Sequence, residues 1–343
     1  MSECKSKKVI YKIKNNQIES VFAFNNGDFL LFEKNNKATL YDIESLIPKI
    51  TLDIYLRKYF FYLTEDEFAL YIYNQYKIYK FKNNRTEYSE IQKLYLNEYE
   101  QGFKLMRISN GDILFFKYFT GGIIRSTIIS VYKRIENNSS NNSNNSYIYQ
   151  KQDQYNIHDC DGLIEINNKE LIGYRKTLAS ELLKLTTFYN HNYKKKIENL
   201  IKMEIKNHIK RMYFLTEIYR YNNKLICAGC FILYIIDPNY LELETTIKFK
   251  RTINEILIRP KGNFFILACE DKKDENEILP ENVPYHFIQN IVLDEKNELI
   301  KNEELDITGK DGILCSSISF FNYPNNGLIT IIDNELIIYD DYN

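Results

Sequence analysis

The chain has 343 residues, 44% hydrophobic and 27% charged, which is enough apolar side chain for a large core and, by length alone, enough for two domains. A formal charge of −1 argues against a polyanion as the main partner, because non-specific nucleic-acid binding rests on an excess of Lys and Arg. The 29 Tyr and 21 Phe, with no Trp, suit pleated sheets and speak against an all-helical chain.

Reading from the amino end, Met1-Ser2-Glu3-Cys4-Lys5-Ser6-Lys7-Lys8 has no apolar region behind its charges and does not read as a secretory signal. No uninterrupted apolar stretch approaches the length of a membrane span. A first strand is expected at about residues 8–14, in Lys8-Val9-Ile10-Tyr11-Lys12-Ile13. Ile18 to Phe24 and Phe29-Leu30-Leu31-Phe32 then flank Asn26-Gly27-Asp28. Asn-Gly supplies the positive φ angles of a tight two-residue turn, so these runs are strands A and B of a hairpin. Lys37-Ala38-Thr39-Leu40-Tyr41 alternates apolar and polar residues as a strand C, and Ile50-Thr51-Leu52-Asp53-Ile54 supplies a strand D.

That unit recurs along the chain. Glu65-Asp66-Glu67 precedes Phe68-Ala69-Leu70, and Asn110-Gly111-Asp112 precedes Ile113-Leu114-Phe115-Phe116. Asn168-Lys169, Asn223-Lys224, Lys261-Gly262-Asn263 and Asn326-Gly327 each precede an apolar run in turn. Strands C recur at Tyr76 to Phe81 and Glu335 to Tyr339, and strands D at Ile91 to Leu96, Ile197 to Ile205 and Leu241 to Ile247. Seven turns at intervals of about fifty residues predict an all-β, seven-bladed β-propeller of four-stranded antiparallel blades, a single domain over 1–343. The last repeat, with strands at Leu314 to Phe321, Leu328 to Ile332 and Glu335 to Tyr339, runs out before its fourth strand. The amino-terminal run is one strand spare, so it is expected to complete the last blade, close the ring and leave no open edge.

Strand C ends in Leu40-Tyr41-Asp42, Ile235-Ile236-Asp237 and Ile338-Tyr339-Asp340, and Ile332-Asp333-Asn334-Glu335 leads into the last of these. In these residues, and across nearly the whole chain, the sequence resembles the WD-repeat superfamily, whose strand C ends in Trp-Asp. The resemblance implies a propeller and a scaffold role, and it carries over no catalytic residue. No Trp is present and no Gly-His dipeptide precedes a strand A, so the family's Asp-His-Ser/Thr-Trp network is complete in no blade.

Two stretches interrupt the repeat. Residues 136–146, rich in Asn and Ser, are expected to be a disordered insert between strands C and D of blade 3, and their Asn-x-Ser sequons read as an unmodified polar linker. Residues 271–284, with two prolines and many acids, lengthen the B to C connection of blade 6 as an exposed loop.

Chemistry has few footholds. Cys227-Ala228-Gly229-Cys230 lacks both the helix start a redox pair needs and the second ligand pair a zinc site needs, so it reads as a buried thiol and a turn. His158-Asp159-Cys160-Asp161 and Lys310-Asp311-Gly312 both precede a strand A, which makes them turn chemistry between blades; the WD-repeat resemblance gives His158 a structural role as an alternative. The basic stretch 194–211 reads as a solvated outer edge, with recruitment to an anionic membrane as an alternative. No nucleophile elbow, phosphate loop, dinucleotide fingerprint or zincin motif occurs. The six cysteines are scattered as reduced thiols of a cytoplasmic or nuclear protein, and no cofactor or metal is expected.

These readings converge on a non-catalytic protein-interaction scaffold. Its partner peptide or domain is expected on the face made by the D to A and B to C connections, first at Phe119, His158, Asp159, Arg175, Lys176, Asp271 and Lys272. A propeller enzyme or small-ligand binder at a central channel mouth is the competing reading.

Overall fold

The structure is a computed structural model. It describes residues 7–12, 18–54, 59–72, 75–95, 103–119, 126–136, 147–158, 162–167, 170–175, 181–186, 201–203, 218–229, 231–240, 242–250, 252–258, 265–271, 285–293, 299–306, 318–321, 327–332 and 335–340. Among these residues there is no α-helix, and the strands form seven four-stranded sheets.

After β1 (Lys7–Lys12), six sheets pair their strands in chain order. The first holds β2 (Ile18–Ala23), β3 (Asp28–Glu33), β4 (Lys37–Asp42) and β5 (Pro48–Asp53); the second β6 (Phe60–Tyr62), β7 (Glu67–Ile72), β8 (Gln75–Lys82) and β9 (Glu87–Tyr95). The third holds β10 (Phe103–Arg107), β11 (Ile113–Phe119), β12 (Ser126–Glu136) and β13 (Tyr147–His158); the fourth β14 (Gly162–Asn167), β15 (Glu170–Arg175), β16 (Glu181–Thr186) and β17 (Ile201–Met203). The fifth holds β18 (Tyr219–Tyr221), β19 (Lys224–Gly229), β20 (Ile232–Asp237) and β21 (Glu242–Lys248); the sixth β22 (Thr252–Ile258), β23 (Phe265–Asp271), β24 (Tyr285–Leu293) and β25 (Leu299–Asp306). In the last sheet, β26 (Ile318–Phe321), β27 (Gly327–Ile332) and β28 (Glu335–Asp340) are followed by β1, antiparallel to β28 with Lys7 opposite Tyr339 and Lys12 opposite Glu335.

The first turns of the first and third sheets correct one expectation. Phe24 and Ile108 each donate their N–H to the carbonyl of Asp28 and Asp112, while Gly27 and Gly111 donate back to Phe24 and Ile108. Gly27 and Gly111 have φ of 90° and 91°, whereas Asn26 and Asn110 do not enter the positive-φ region. This is the three-residue hairpin, a type I turn followed by a left-handed glycine, rather than a two-residue Asn-Gly turn. The asparagines are engaged elsewhere: Asn26 Oδ1 accepts from Asp28 N at 3.2 Å and Asn110 Oδ1 accepts from Asp112 N at 2.8 Å, and each Nδ2 donates to the same aspartate's carboxylate.

The chain divides into two compact units, residues 1–72, 77–90 and 259–343 in one and 73–76 and 91–258 in the other. In the first unit, alternate side chains of β3 face opposite neighbours. Phe29 and Leu31 pack with Val21 and Ala23 against Ile329, Ile331, Leu336 and Ile338 of the last sheet. Leu30 and Phe32 pack with Phe24, Leu40 and Leu52 against Phe60, Phe68, Leu70 and Phe81 of the second sheet. A strand covered on both faces has no place for a polar partner row, which is why strand B reads as an unbroken apolar run. Each such side chain contributes about 1.5–3 kcal/mol by leaving water. Ala23 N–H donates to Ser319 Oγ at 2.8 Å across the same seam between first and last sheets.

In the second unit Leu114, Phe116, Ile129 and Val131 of the third sheet pack on Leu163 and Leu171 of the fourth. Gln92 of β9 forms a paired bond with the Tyr149 main chain of β13, donating to its carbonyl at 2.6 Å and accepting from its N–H at 2.7 Å. A side-chain amide thus takes the place of one rung between strands of different sheets.

Candidate functional site

In a four-stranded antiparallel sheet paired in chain order, the second hairpin turn and the end of the fourth strand share one end; the first and third turns share the other. Of the candidate binding residues, Phe119, His158, Arg175 and Asp271 fall at the first of these ends of their own sheets. Phe119 is the last residue of β11 and pairs with Ser126, which pairs on its other side with His158, the last residue of β13. The main chains of Phe119 and His158 therefore flank one rung, about 10 Å apart at ordinary strand spacing. Arg175 occupies the equivalent terminal rung of the fourth sheet, opposite Glu181, and Asp271 that of the sixth, opposite Tyr285. Phe119, His158 and Arg175 belong to one compact unit and Asp271 to the other. Asp159, Lys176 and Lys272 lie outside the described residues, as do most of 194–211 and the greater parts of 136–146 and 271–284.

A further residue at this end is hidden from motif reading by the cysteines beside it. Phe231 sits in the turn between β19 and β20 and is 48% exposed. Its carbonyl accepts from Phe249 N–H at 2.8 Å, just beyond the end of β21, where Phe249 is half-buried and Lys248 and Lys250 are exposed. The sequence signal for it is a large aromatic in a tight turn, where small or polar residues are usual. Cys227, by contrast, is fully buried opposite Tyr234, and burial pushes its thiol well above the ordinary value, so it is a core residue. Cys230 lies outside the described residues.

The other end carries a network of charge. The turn between β8 and β9 holds Asn83, Asn84 and Arg85 at φ of 50°, 54° and 65°, a left-handed run that asparagine tolerates and arginine seldom adopts. It carries the Arg85 side chain, 5% exposed, in between the first hairpins of two sheets. Nη1 donates to Asn26 Oδ1 at 2.7 Å and to Asp28 Oδ2 at 3.2 Å, and Nη2 to Glu65 Oε2 at 3.1 Å and to the Glu65 carbonyl. The guanidinium lies 4.5 Å from the centre of the Phe24 ring. Lys49 of β5 joins Asp28 at 2.6 Å to Asp42 at 3.2 Å.

Asp42 stands where the WD-repeat signature has its aspartate, and Tyr41 stands where it has tryptophan. Tyr41 stacks on Phe29 at 5.3 Å, and Asp42 Oδ1 accepts from the N–H of Glu44 and of Ser45. Asp237 repeats this, accepting from Asn239 N and Tyr240 N. Burial works against the Asp42 charge, yet the Ser45 N–H and hydroxyl and the Lys49 ammonium outweigh it and hold the carboxyl below its usual range. Burial of Lys49 is likewise outweighed, by Asp28 and Asp42, and its pKa rises. The groups of this network are committed to one another, which makes it a brace between sheets.

The third and fourth sheets carry a variant of the brace. Ser109 follows the same strand position as Asn25, and its N–H and hydroxyl both donate to the Glu165 carboxylate. Asn25 N–H donates to Glu65 in the corresponding place.

Four-stranded antiparallel sheets in series are the elements of a β-propeller, and comparison with solved structures supports that fold. It is similar to a chain of the mitotic checkpoint complex, at 10% identity and a TM-score of 0.56, over 97% of this chain and 93% of that one. It is also similar to Sqt1 of Saccharomyces cerevisiae, at 7% identity and a TM-score of 0.52, over 97% and 98% of the two chains. No protein-family model matches the sequence, and no curated protein matches it.

Proposed function

We propose that the protein is a non-catalytic interaction scaffold, a closed seven-bladed propeller that holds a protein partner at the end of the sheets where the second turns and the fourth-strand ends lie. The observation that carries this reading is the placement of Phe119, His158 and Arg175 on terminal rungs at that end of the third and fourth sheets, in a fold shared with WD-repeat proteins, one of which is a chain of a multiprotein complex. The opposite end spends its charged groups on bracing, which leaves the first end to vary. Closure of the ring is supported by β1 on β28 and by the packing of the first sheet on the last.

Affinity capture from native lysate tests the reading. Tagged wild type and a Lys49→Ala variant at the braced end are expected to retain the same stable protein partner, while Phe119→Ala combined with Arg175→Glu loses it. Absence of any stable partner for wild type, or equal retention by all three, would refute the proposal.

A further inference from the structure

The fifth sheet separates its charges along one strand. Toward the start of β21, Glu244 is neutralised by an ion pair with Lys224. At its far end and just beyond, Lys248 and Lys250 are exposed and have no ion-pair partner among the described residues. Between them lies Phe249, whose N–H holds the Phe231 carbonyl and so fixes the exposed Phe231 turn beside the two lysines. The register places Lys248 opposite Ile232, the residue following Phe231, so the aromatic and the basic end of the strand belong to one local surface.

We infer that Phe231, Phe249, Lys248 and Lys250 form a docking site for an acidic peptide segment that carries an apolar side chain. The inference rests on the scaffold reading and names the chemistry of its partner. An exposed phenylalanine whose turn is pinned by a backbone bond offers contact area with little entropy to lose. Two ammonium groups with no ion-pair partner among the described residues lie beside it, and they favour a segment of opposite sign and disfavour a basic one. A nucleic acid is the weaker match, because single-strand binding needs a track of aromatics in a basic groove, and this chain has one exposed ring here and a net charge of −1.

Selection from a displayed random-peptide library against the full chain tests the site. Enriched peptides are expected to place Asp or Glu around an apolar residue, and a labelled synthetic copy should bind with an affinity that falls about tenfold or more for Phe231→Ala and for Lys248→Glu with Lys250→Glu. Circular dichroism and melting of these surface variants should match wild type. Enrichment of peptides without acidic residues, no enrichment at all, or unchanged affinity in both variants would overturn the site, as would displacement of the peptide by oligothymidylate or by anionic vesicles. If Phe119→Ala with Arg175→Glu abolishes peptide binding while the Phe231 and lysine variants keep it, this site falls and the scaffold reading stands. If none of the variants alters binding, both fall.

Discussion

Arg85 shows what a single side chain contributes to joining sheets. Its guanidinium reaches Asp28 and Glu65 from a turn whose left-handed backbone has to be held in place, and both Arg85 and Asp28 are nearly inaccessible to water. Removing one partner of a buried pair leaves the other charge without compensation, although Lys49 still holds one Asp28 oxygen. Arg85→Ala is therefore expected to cost about 3 kcal/mol in urea unfolding, and Arg85→Lys to recover less than half of that, since an ammonium cannot reach both carboxylates in the planar fork. Asp42 and Lys49 act on the pH dependence. The Asp42 carboxyl is lower when folded than its unfolded value near 3.8, so its stabilisation is present above that pH and is lost as pH falls through the folded value. Lys49 has the opposite sign: its pKa is raised when folded, so its stabilisation is present below 10.5 and is lost as pH rises above it. Asp42→Asn should leave a shallower loss of urea midpoint between pH 4 and pH 2 than wild type, with an effect at neutral pH below about 1 kcal/mol because the pair is partly exposed.

At the scale of strands and turns, a large part of the fold is readable from residue order. Phe29-Leu30-Leu31-Phe32 announces a strand buried on both faces, and the structure gives its odd and even members to different neighbours. Asn-Gly-Asp announces a turn, but its type depends on where the asparagine side chain goes, and a bond to an aspartate two residues on is not visible in a propensity. The distinction has a measurable consequence at the third sheet. Gly111 has φ of 91°, and a Cβ there would lie 3.4 Å from Arg134 Cδ, so Gly111→Ala should cost about 1–2 kcal/mol from backbone strain. Asn110→Gly should also destabilise, by about 1 kcal/mol, since it removes both bonds to Asp112. In a two-residue turn of the kind first expected, the same substitution would relieve a positive φ and stabilise. Arg85 was beyond reach of sequence pattern, because its acceptors Asn26 and Asp28 lie 59 and 57 residues away and no local rule ties a turn arginine to a distant hairpin. Phe119, Arg175 and Asp271 were locatable because the repeat fixes where each second strand ends, a matter of counting from one turn to the next.

At the scale of the whole molecule the decisive pairing joins the two ends of the chain. Every other sheet is built from four consecutive strands, so it can form as soon as its own stretch of chain is present; the last one has to recruit β1 across more than three hundred residues of sequence. Without it, β28 would present a row of unpaired main-chain groups along Glu335–Asp340, an edge open to other copies of the chain. Deleting residues 1–17 is expected to lower the melting temperature by several degrees and to produce concentration-dependent association in sedimentation. Because β1 runs antiparallel to β28, the same strand appended behind Asn343 through a short linker can fold back as an ordinary fourth strand, and this transposed chain should regain both the melting temperature and the monomeric behaviour. If instead the deleted chain melts and sediments as wild type does, the β1–β28 pairing contributes nothing to stability, and the first and last sheets are held together by the packing of Phe29 and Leu31 against Ile329 and Ile338.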